Sequence, residues 1–314
     1  MYIKLGKNVN FVLMKEYTKI ARIAIFLAAA ITAALFFGCG SRGKQTAGSE
    51  RQTISVSIPP LYGLVEAIVG DDYNIEIILP EGTSPETFSP TFSQIAAVSN
   101  SEMVFITGLL DYERVIADRL VQHTENQFIN TSKGAHLIEG SCTHNHSKDV
   151  EHAHSHGIDP HAWMSPFELE IIARNIGDAI CSKHSNNKAY ITNFEQLTLK
   201  IKERQITYQA LINNADNTTF LIYHPALSYL ARDYGLTQIS LENEGKSPTP
   251  TALAAIVDIV NKQHISSMMY QREYPIDVIK PLIDILGVNA VEVNPLNKDI
   301  ISELDRIVNI ICAQ

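Results

Sequence analysis

Residues 188–212, KAYITNFEQLTLKIKERQITYQALI, contain neither glycine nor proline. Apolar side chains recur in this stretch at helical spacing, at Phe194, Leu197, Ile201, Ile206 and Leu211. A helix of about 25 residues extends roughly 37 Å at 1.5 Å per residue, which is longer than a small lobe needs. The stretch therefore predicts a long helix that joins two lobes, with a long helix packed on a single domain as the alternative.

Strands and helices alternate on both sides of this stretch. Eight short apolar or alternating segments predict strands, at 53–58, 74–79, 103–107, 127–130, 219–223, 237–241, 266–270 and 290–293. Strands that alternate with helices at this spacing predict parallel βα units. The expected fold is therefore α/β, with two lobes of parallel βα units joined by one long rigid helix and a cleft between the lobes.

The domain organisation follows from that pattern. We expect an N-terminal α/β lobe over residues 53–184, a linking helix over 185–214 and a C-terminal α/β lobe over 215–314. In open α/β lobes the residues that face a ligand lie in the loops at the carboxyl ends of the strands. The cleft between the lobes is the expected place for a site.

The N-terminal segment has the pattern of an export signal. Lys15, Lys19 and Arg22 precede an apolar run, 23–37, that is too short for a comfortable membrane span. Positive charge followed by a short apolar run is typical of a secretory signal peptide. An exported protein is therefore expected.

Cys39 follows Gly38, at the place where bacterial lipoproteins are cleaved and lipidated. We expect a lipoprotein signal peptide over residues 1–38, a lipid on Cys39 and a flexible polar tether over 39–52. Plain secretion and an uncleaved anchor are the alternatives. The expected location is the cell envelope, on the periplasmic side of a membrane.

Charge and cysteine usage exclude some classes. The formal net charge is −9, and the signal peptide carries more basic than acidic side chains, so the mature chain is more acidic still. An acidic exported protein is a poor partner for nucleic acid. Cys142, Cys181 and Cys312 are widely scattered, which indicates neither a disulfide framework nor a CxxC-type zinc site.

A histidine-rich loop is predicted over residues 142–158. Five histidines fall within thirteen residues of it: His144, His146, His152, His154 and His156. Neutral imidazole is a common ligand for zinc and its neighbours in the first transition row. The loop is expected to collect metal weakly, and a disordered polar insertion that binds metal only incidentally is the alternative.

Three other side chains follow strands and are candidates for a tight metal site. Glu86, His161 and His224 lie in three separate loops, and one carboxylate with two imidazoles suits Zn²⁺. Glu273 and Asn294 each come just after later strands of the second lobe. Either of these two, or water, can complete the shell.

Four sequence blocks carry a resemblance to a known family. They are GTSPETFSP (82–90), DPHAW (159–163), YHPALSYLARDYGL (223–236) and NPL (294–296). With the export signal, the histidine-rich loop and the long helix, their order resembles the metal-binding subunit of bacterial zinc and manganese ABC importers. The resemblance covers essentially the whole mature chain. It implies two α/β lobes joined by a rigid helix, with the metal held at their interface.

The resemblance also implies a ligand set: Glu86, His161, His224 and Asn294. His161 and His224 match histidines that the zinc branch uses. Glu86 stands where that branch has a histidine, and Asn294 stands where many members have an aspartate. Glu273 is a geometric rival for the fourth place. A carboxylate in place of a nitrogen donor makes the donor set harder, which favours Mn²⁺ or iron. The resemblance points the other way, because a histidine-rich loop is typical of the zinc importers.

The expected function is capture of Zn(II), with Mn(II) as a possible cargo, and delivery to an ABC permease and its ATPase by a monomeric lipoprotein. No enzymatic chemistry is expected, since the chain has no His-Glu-x-x-His run and no second base is evident beside the ligands. The alternatives are a manganese or iron importer subunit, a zinc-dependent hydrolase, and a cell-adhesion or metal-storage lipoprotein without a transporter.

Overall fold

The computed structural model describes residues 51–124, 128–139, 157–242 and 246–314. The predicted signal peptide, Cys39 and nearly all of the tether lie outside the described residues, as does the histidine-rich loop except for its last two positions. No helix in the described part of the chain is both long enough and apolar enough to cross a membrane.

The first lobe is built on a four-stranded sheet in which all pairs are parallel. Its strands are β1 (Thr53–Val56), β2 (Asn74–Ile77), β3 (Met103–Ile106) and β4 (Phe128–Asn130), in the order β2-β1-β3-β4. Its helices are α1 (Pro59–Val69), α2 (Phe92–Val98), α3 (Asp111–Thr124) and α4 (Pro166–Lys183). All four residues of β3 are buried, as expected for a parallel strand covered on both faces.

The long helix α5 runs over Lys188–Asn213. The side chain of Asn187 caps it by accepting from the backbone N–H of Ala189 at 3.1 Å. Its buried face carries Tyr190, Leu197, Ile201, Tyr208 and Ile212.

Two residues of the predicted apolar face of α5 are exposed, Ile206 and Leu211. Ile206 is 74% exposed, and Tyr208 is buried in its stead. Ile206 is five residues from Ile201, which turns it far from the buried stripe at 3.6 residues per turn, whereas Tyr208 is seven residues away and returns to that stripe.

The second lobe repeats the first. Its strands are β5 (Thr219–Ile222), β6 (Thr237–Ser240), β7 (Ser267–Gln271) and β8 (Asn289–Val293), all parallel, in the order β6-β5-β7-β8. Its helices are α6 (Ser228–Tyr234), α7 (Pro250–Gln263), α8 (Ile276–Leu286) and α9 (Ile300–Cys312). The predicted α/β class with two lobes and a long joining helix is confirmed.

A single hydrophobic core passes through α5 and includes parts of both lobes. It contains Trp163 and the strands of the first lobe, Ile201 and Tyr208 of α5, and Leu304 and Ile307 of α9. A smaller cluster is confined to the second lobe, between its sheet and helices α7 and α8. Because α5 and α9 share the larger core with the first lobe, the two sheets are held on one rigid framework.

The lobes also touch at Gly63 of α1. A Cβ atom at this position would lie 2.0 Å from the main-chain carbonyl oxygen of Lys298, just before α9. Such a distance is well inside van der Waals contact. Only glycine therefore allows α1 and the segment before α9 to approach this closely.

We expect Gly63→Ala to lower the free energy of unfolding by about 1–2 kcal/mol. Overpacking costs about 1–3 kcal/mol, and contact with a main-chain carbonyl places this case near the upper end. Alanine regains only about 1 kcal/mol over glycine inside a helix. Denaturant unfolding of the two proteins measures the difference. Gly157→Ala is the control, because no atom lies within 4 Å of a Cβ there; equal stability changes in both variants would contradict the steric argument.

Candidate metal centre

Glu86, His161 and His224 come together in the folded chain. One ligand atom from each lies within 4.8 Å of the other two. The Nε2 atoms of His161 and His224 are 3.7 and 3.2 Å from Oε1 of Glu86. The two imidazole rings meet edge to face with their centroids 5.2 Å apart. Both rings thus turn their Nε2 atoms toward the same carboxylate.

Two of the three side chains lie in loops that follow strands, as the sequence predicted. His224 follows β5 by two residues, and Glu86 lies in the loop that leaves β2. Gly82, in the same loop, has a φ of 73°, a conformation that favours glycine. Phe88 packs edge-on against Tyr112 at 4.9 Å between ring centroids and fixes the loop to the first lobe.

His161 is buried and oriented by Asp159. Oδ1 of Asp159 accepts from the backbone N–H of His161 and from its ring Nδ1, both at 2.9 Å. A carboxylate can only accept here, so Nδ1 carries the proton and Nε2 is left free to bind a metal. The indole of Trp163 lies 5.4 Å from the imidazole and donates to the carbonyl oxygen of Pro295 at 2.9 Å.

His224 has a corresponding partner in Glu242. Oε2 of this buried carboxylate lies 2.5 Å from Nδ1 of His224. The side chain of Gln271, at the end of β7, makes two hydrogen bonds with the backbone of His224. It accepts from the N–H at 3.3 Å and donates to the carbonyl oxygen at 2.6 Å. The imidazole stacks on Tyr274 with the ring centroids 5.7 Å apart. His224 is therefore fixed in position, with its Nδ1 atom bound to Glu242 and its Nε2 atom turned toward Glu86.

The charges of the site act on one another. Burial lowers the pKa of His224, but the carboxylates of Glu242 and Glu86 outweigh this effect and raise that pKa to about 9. Burial raises the pKa of Glu86, but His224 and His161 outweigh it and hold the pKa below its usual value. At neutral pH Glu86 is therefore ionised, and His224 is in its doubly protonated, cationic form.

Glu273 lines the same cleft, whereas Asn294 does not. Glu273 is half-buried beside the three donors, and burial raises the pKa of its carboxyl despite the opposing effect of His224. Its carboxylate is not part of the group within 4.8 Å. Oδ1 of Asn294 accepts from the backbone N–H of Leu296 at 3.1 Å. The structure therefore brings together three of the four predicted site residues and turns Asn294 toward the main chain.

The sequence reasoning missed Asp159 and Glu242, the partners of the two imidazoles. Asp159 belongs to the Asp-Pro-His block, but its contact with His161 depends on a local turn that the block alone does not give. Glu242 follows β6 by two residues. Its position just after a strand of the second lobe is the sequence signal that points to it.

The chain is similar in sequence to known proteins. Residues 54–305 match the family ZnuA, described as zinc-uptake complex component A, periplasmic. The zinc-binding protein AdcA of Streptococcus pyogenes is 27% identical over 273 residues, covering 82% of this chain and 52% of that protein. The high-affinity zinc uptake system protein ZnuA of Bacillus subtilis is 25% identical over 246 residues, covering 76% of this chain and 77% of that protein.

A solved structure shares the fold. A crystal structure of ZnuA superposes with a TM-score of 0.72 at 24% identity, covering 83% of this chain and 98% of that one. The present chain spans about half the length of the streptococcal relatives that it matches.

We expect Glu242→Gln to lower the pKa of His224 from about 9. The substitution keeps the shape of the side chain but removes the charge that stabilises the imidazolium. Less negative charge then offsets the effect of burial, which lowers the pKa. An NMR titration of the imidazole signals of the full chain, without added metal, measures the pKa. Glu66→Gln, in α1, is a control that should leave it unchanged. An unaltered pKa in Glu242→Gln would contradict the assigned role of Glu242.

Proposed function

The chain belongs to the ZnuA family of zinc-uptake components, and on this basis we propose that it captures Zn²⁺ outside the cytoplasm and delivers it to an ABC-type permease with its ATPase. The observation that carries the proposal is the convergence of Glu86, His161 and His224 within 4.8 Å. Two imidazoles and a carboxylate are a donor set that suits Zn²⁺.

The surroundings of the donors support tight binding. Asp159 and Glu242 each hold one imidazole through Nδ1, so little freedom is lost when Nε2 binds the metal. Because His224 carries a proton below a pH of about 9, Zn²⁺ displaces that proton when it binds at neutral pH. Affinity therefore falls as the pH drops below about 9, a higher range than that of an ordinary histidine near 6.5.

The fourth place in the shell has two candidates. The resemblance implies Asn294, whose amide oxygen already accepts from Leu296. Glu273 lines the cleft beside the donors, and both His224 and His161 act electrostatically on its carboxyl group. These contacts favour Glu273, which gives a shell of two carboxylates and two imidazoles. Such a shell also accommodates Mn²⁺, so Mn²⁺ is the competing cargo.

The remaining features of the proposal concern the whole protein. A signal peptide over residues 1–38 and a lipid on Cys39 tether a monomer to the membrane, and the histidine-rich loop collects metal for the cleft. The protein performs no bond chemistry. The lobes 53–184 and 215–314, joined by the helix segment 185–214, move by a small tilt, because the shared core around α5 resists a wide hinge opening.

We expect Glu86→Ala, His161→Ala and His224→Ala each to weaken tight Zn²⁺ binding by more than about 100-fold, since each removes a direct ligand. Calorimetric titration of the full chain with Zn²⁺ and then Mn²⁺ measures the affinities and the preference. Glu292→Ala, at an exposed residue paired with Arg272, is the control. Tight binding that survives all three substitutions would contradict the proposed site, and hydrolytic activity lost with them would point to an enzyme.

The fourth donor is tested by a matched pair of variants. We expect Glu273→Gln to weaken Zn²⁺ binding by about tenfold, because an amide replaces a charged donor, and Asn294→Ala to change it by less than about twofold. The same titrations provide both affinities. A large loss in Asn294→Ala with none in Glu273→Gln would assign the fourth place to Asn294 instead.

A further inference from the structure

The two chain segments that flank the histidine-rich loop are joined to each other at their base. The backbone N–H of Asp159 donates to the carbonyl oxygen of Ile138 at 2.9 Å. Glu139 and Ile158 form an isolated antiparallel bridge beside this bond. Residues 138–139 and 158–159 thus form a short closed connection, the neck of the loop.

A tyrosine of the opposite lobe holds both sides of the neck. Tyr229, in α6, donates its hydroxyl proton to the carbonyl oxygen of Asp159 at 2.6 Å and accepts from the backbone N–H of Ile138 at 3.1 Å. Its ring is fully buried and lies against the guanidinium of Arg232, 5.0 Å from the ring centroid. One hydroxyl therefore satisfies a donor on one segment and an acceptor on the other.

The neck is connected to the metal centre through Asp159. Asp159, whose carbonyl Tyr229 holds, is also the residue whose carboxylate binds both the backbone N–H and Nδ1 of His161. A displacement of Asp159 would therefore rotate or release the imidazole. The series of contacts from Tyr229 through Asp159 to His161 thus crosses from one lobe to the other.

We propose that Tyr229 is a positioning residue for the ligand His161, acting through Asp159, and that it makes the orientation of His161 depend on the two lobes being together. This inference rests on the proposed function. When the permease separates the lobes, the bond from Tyr229 to Asp159 breaks and His161 loses its fixed orientation. Separation thereby weakens a ligand of the first lobe in addition to withdrawing His224, so opening and release are coupled.

Other contacts keep α6 docked on the first lobe when this hydroxyl is removed. Arg232 donates to the carbonyl oxygen of His136 and, at 2.6 Å, to the buried carboxylate of Glu168 in α4. The hydroxyl of Ser165 donates to Asp233 across the same boundary. Loss of the Tyr229 hydroxyl should therefore loosen Asp159 locally and leave the lobes docked.

Tyr229→Phe is compared with Tyr234→Phe. Tyr234 is also a buried residue of α6, and its hydroxyl donates to a main-chain carbonyl, that of Gln205 at 3.2 Å, away from the neck. The full chain is loaded with one equivalent of Zn²⁺, and its release to an excess of chelator is followed by stopped flow. We expect release to be about tenfold faster in Tyr229→Phe and changed by less than about twofold in Tyr234→Phe, because only the first loosens a group that orients a ligand.

Two further readouts separate positioning from a general loss of stability. The visible spectrum of bound Co²⁺ reports ligand geometry, and we expect it to change in Tyr229→Phe and not in Tyr234→Phe. Asp159 links Tyr229 to His161. The double variant that combines Tyr229→Phe with Asp159→Asn should therefore release Zn²⁺ at the rate of Asp159→Asn alone. An unchanged spectrum with a lowered unfolding temperature, or additive effects in the double variant, would overturn the proposal.

The outcomes also distinguish this inference from the proposed function. If the native chain does not bind Zn²⁺ tightly, or if His161→Ala leaves tight binding unchanged, both proposals are wrong. If binding is tight and depends on His161, but Tyr229→Phe behaves as Tyr234→Phe, only the role of Tyr229 is wrong.

Discussion

The burial of one face of α5 is the interaction on which the rest of the structure depends. Ile201 and Tyr208 of this helix pack in a core that contains strands of the first lobe and helix α9 of the second. A helix of 26 residues with one buried face along its length cannot bend without exposing apolar surface, which costs about 25 cal/mol for each Å². The shared core therefore resists a wide separation of the two sheets, and their strand ends face a common cleft.

Within that cleft, the two imidazole ligands are also held in fixed orientations. Each imidazole is held through Nδ1 by a carboxylate, Asp159 for His161 and Glu242 for His224. The two carboxylates reach the site from different lobes, and Tyr229 joins the first of them to the second lobe. The same arrangement that fixes the ligands makes them depend on the relation between the lobes, which is a useful property for a protein that must bind an ion and later release it.

The sequence was a good guide to the fold because its signals are local. Alternating segments gave eight strands in two parallel sheets, and the stretch without glycine or proline gave α5. The errors came where local periodicity competed with packing. Ile206 was expected on the buried face of α5 and is exposed, since Tyr208 continues the stripe that contacts α9. Asn294 was implied at the site by the resemblance alone, and its amide oxygen accepts from the backbone N–H of Leu296 in this structure.

The sequence by itself determined the α/β class, the long joining helix and the choice of Glu86, His161 and His224 as candidate donors, because strand ends and residue types can be read from local patterns. Only the tertiary structure decided which groups meet. Glu242 approaches His224 from a neighbouring strand, Glu273 lines the cleft where Asn294 does not, and Tyr229 reaches Asp159 from the other lobe. These contacts depend on which strands are neighbours in each sheet and on how the two lobes pack against each other.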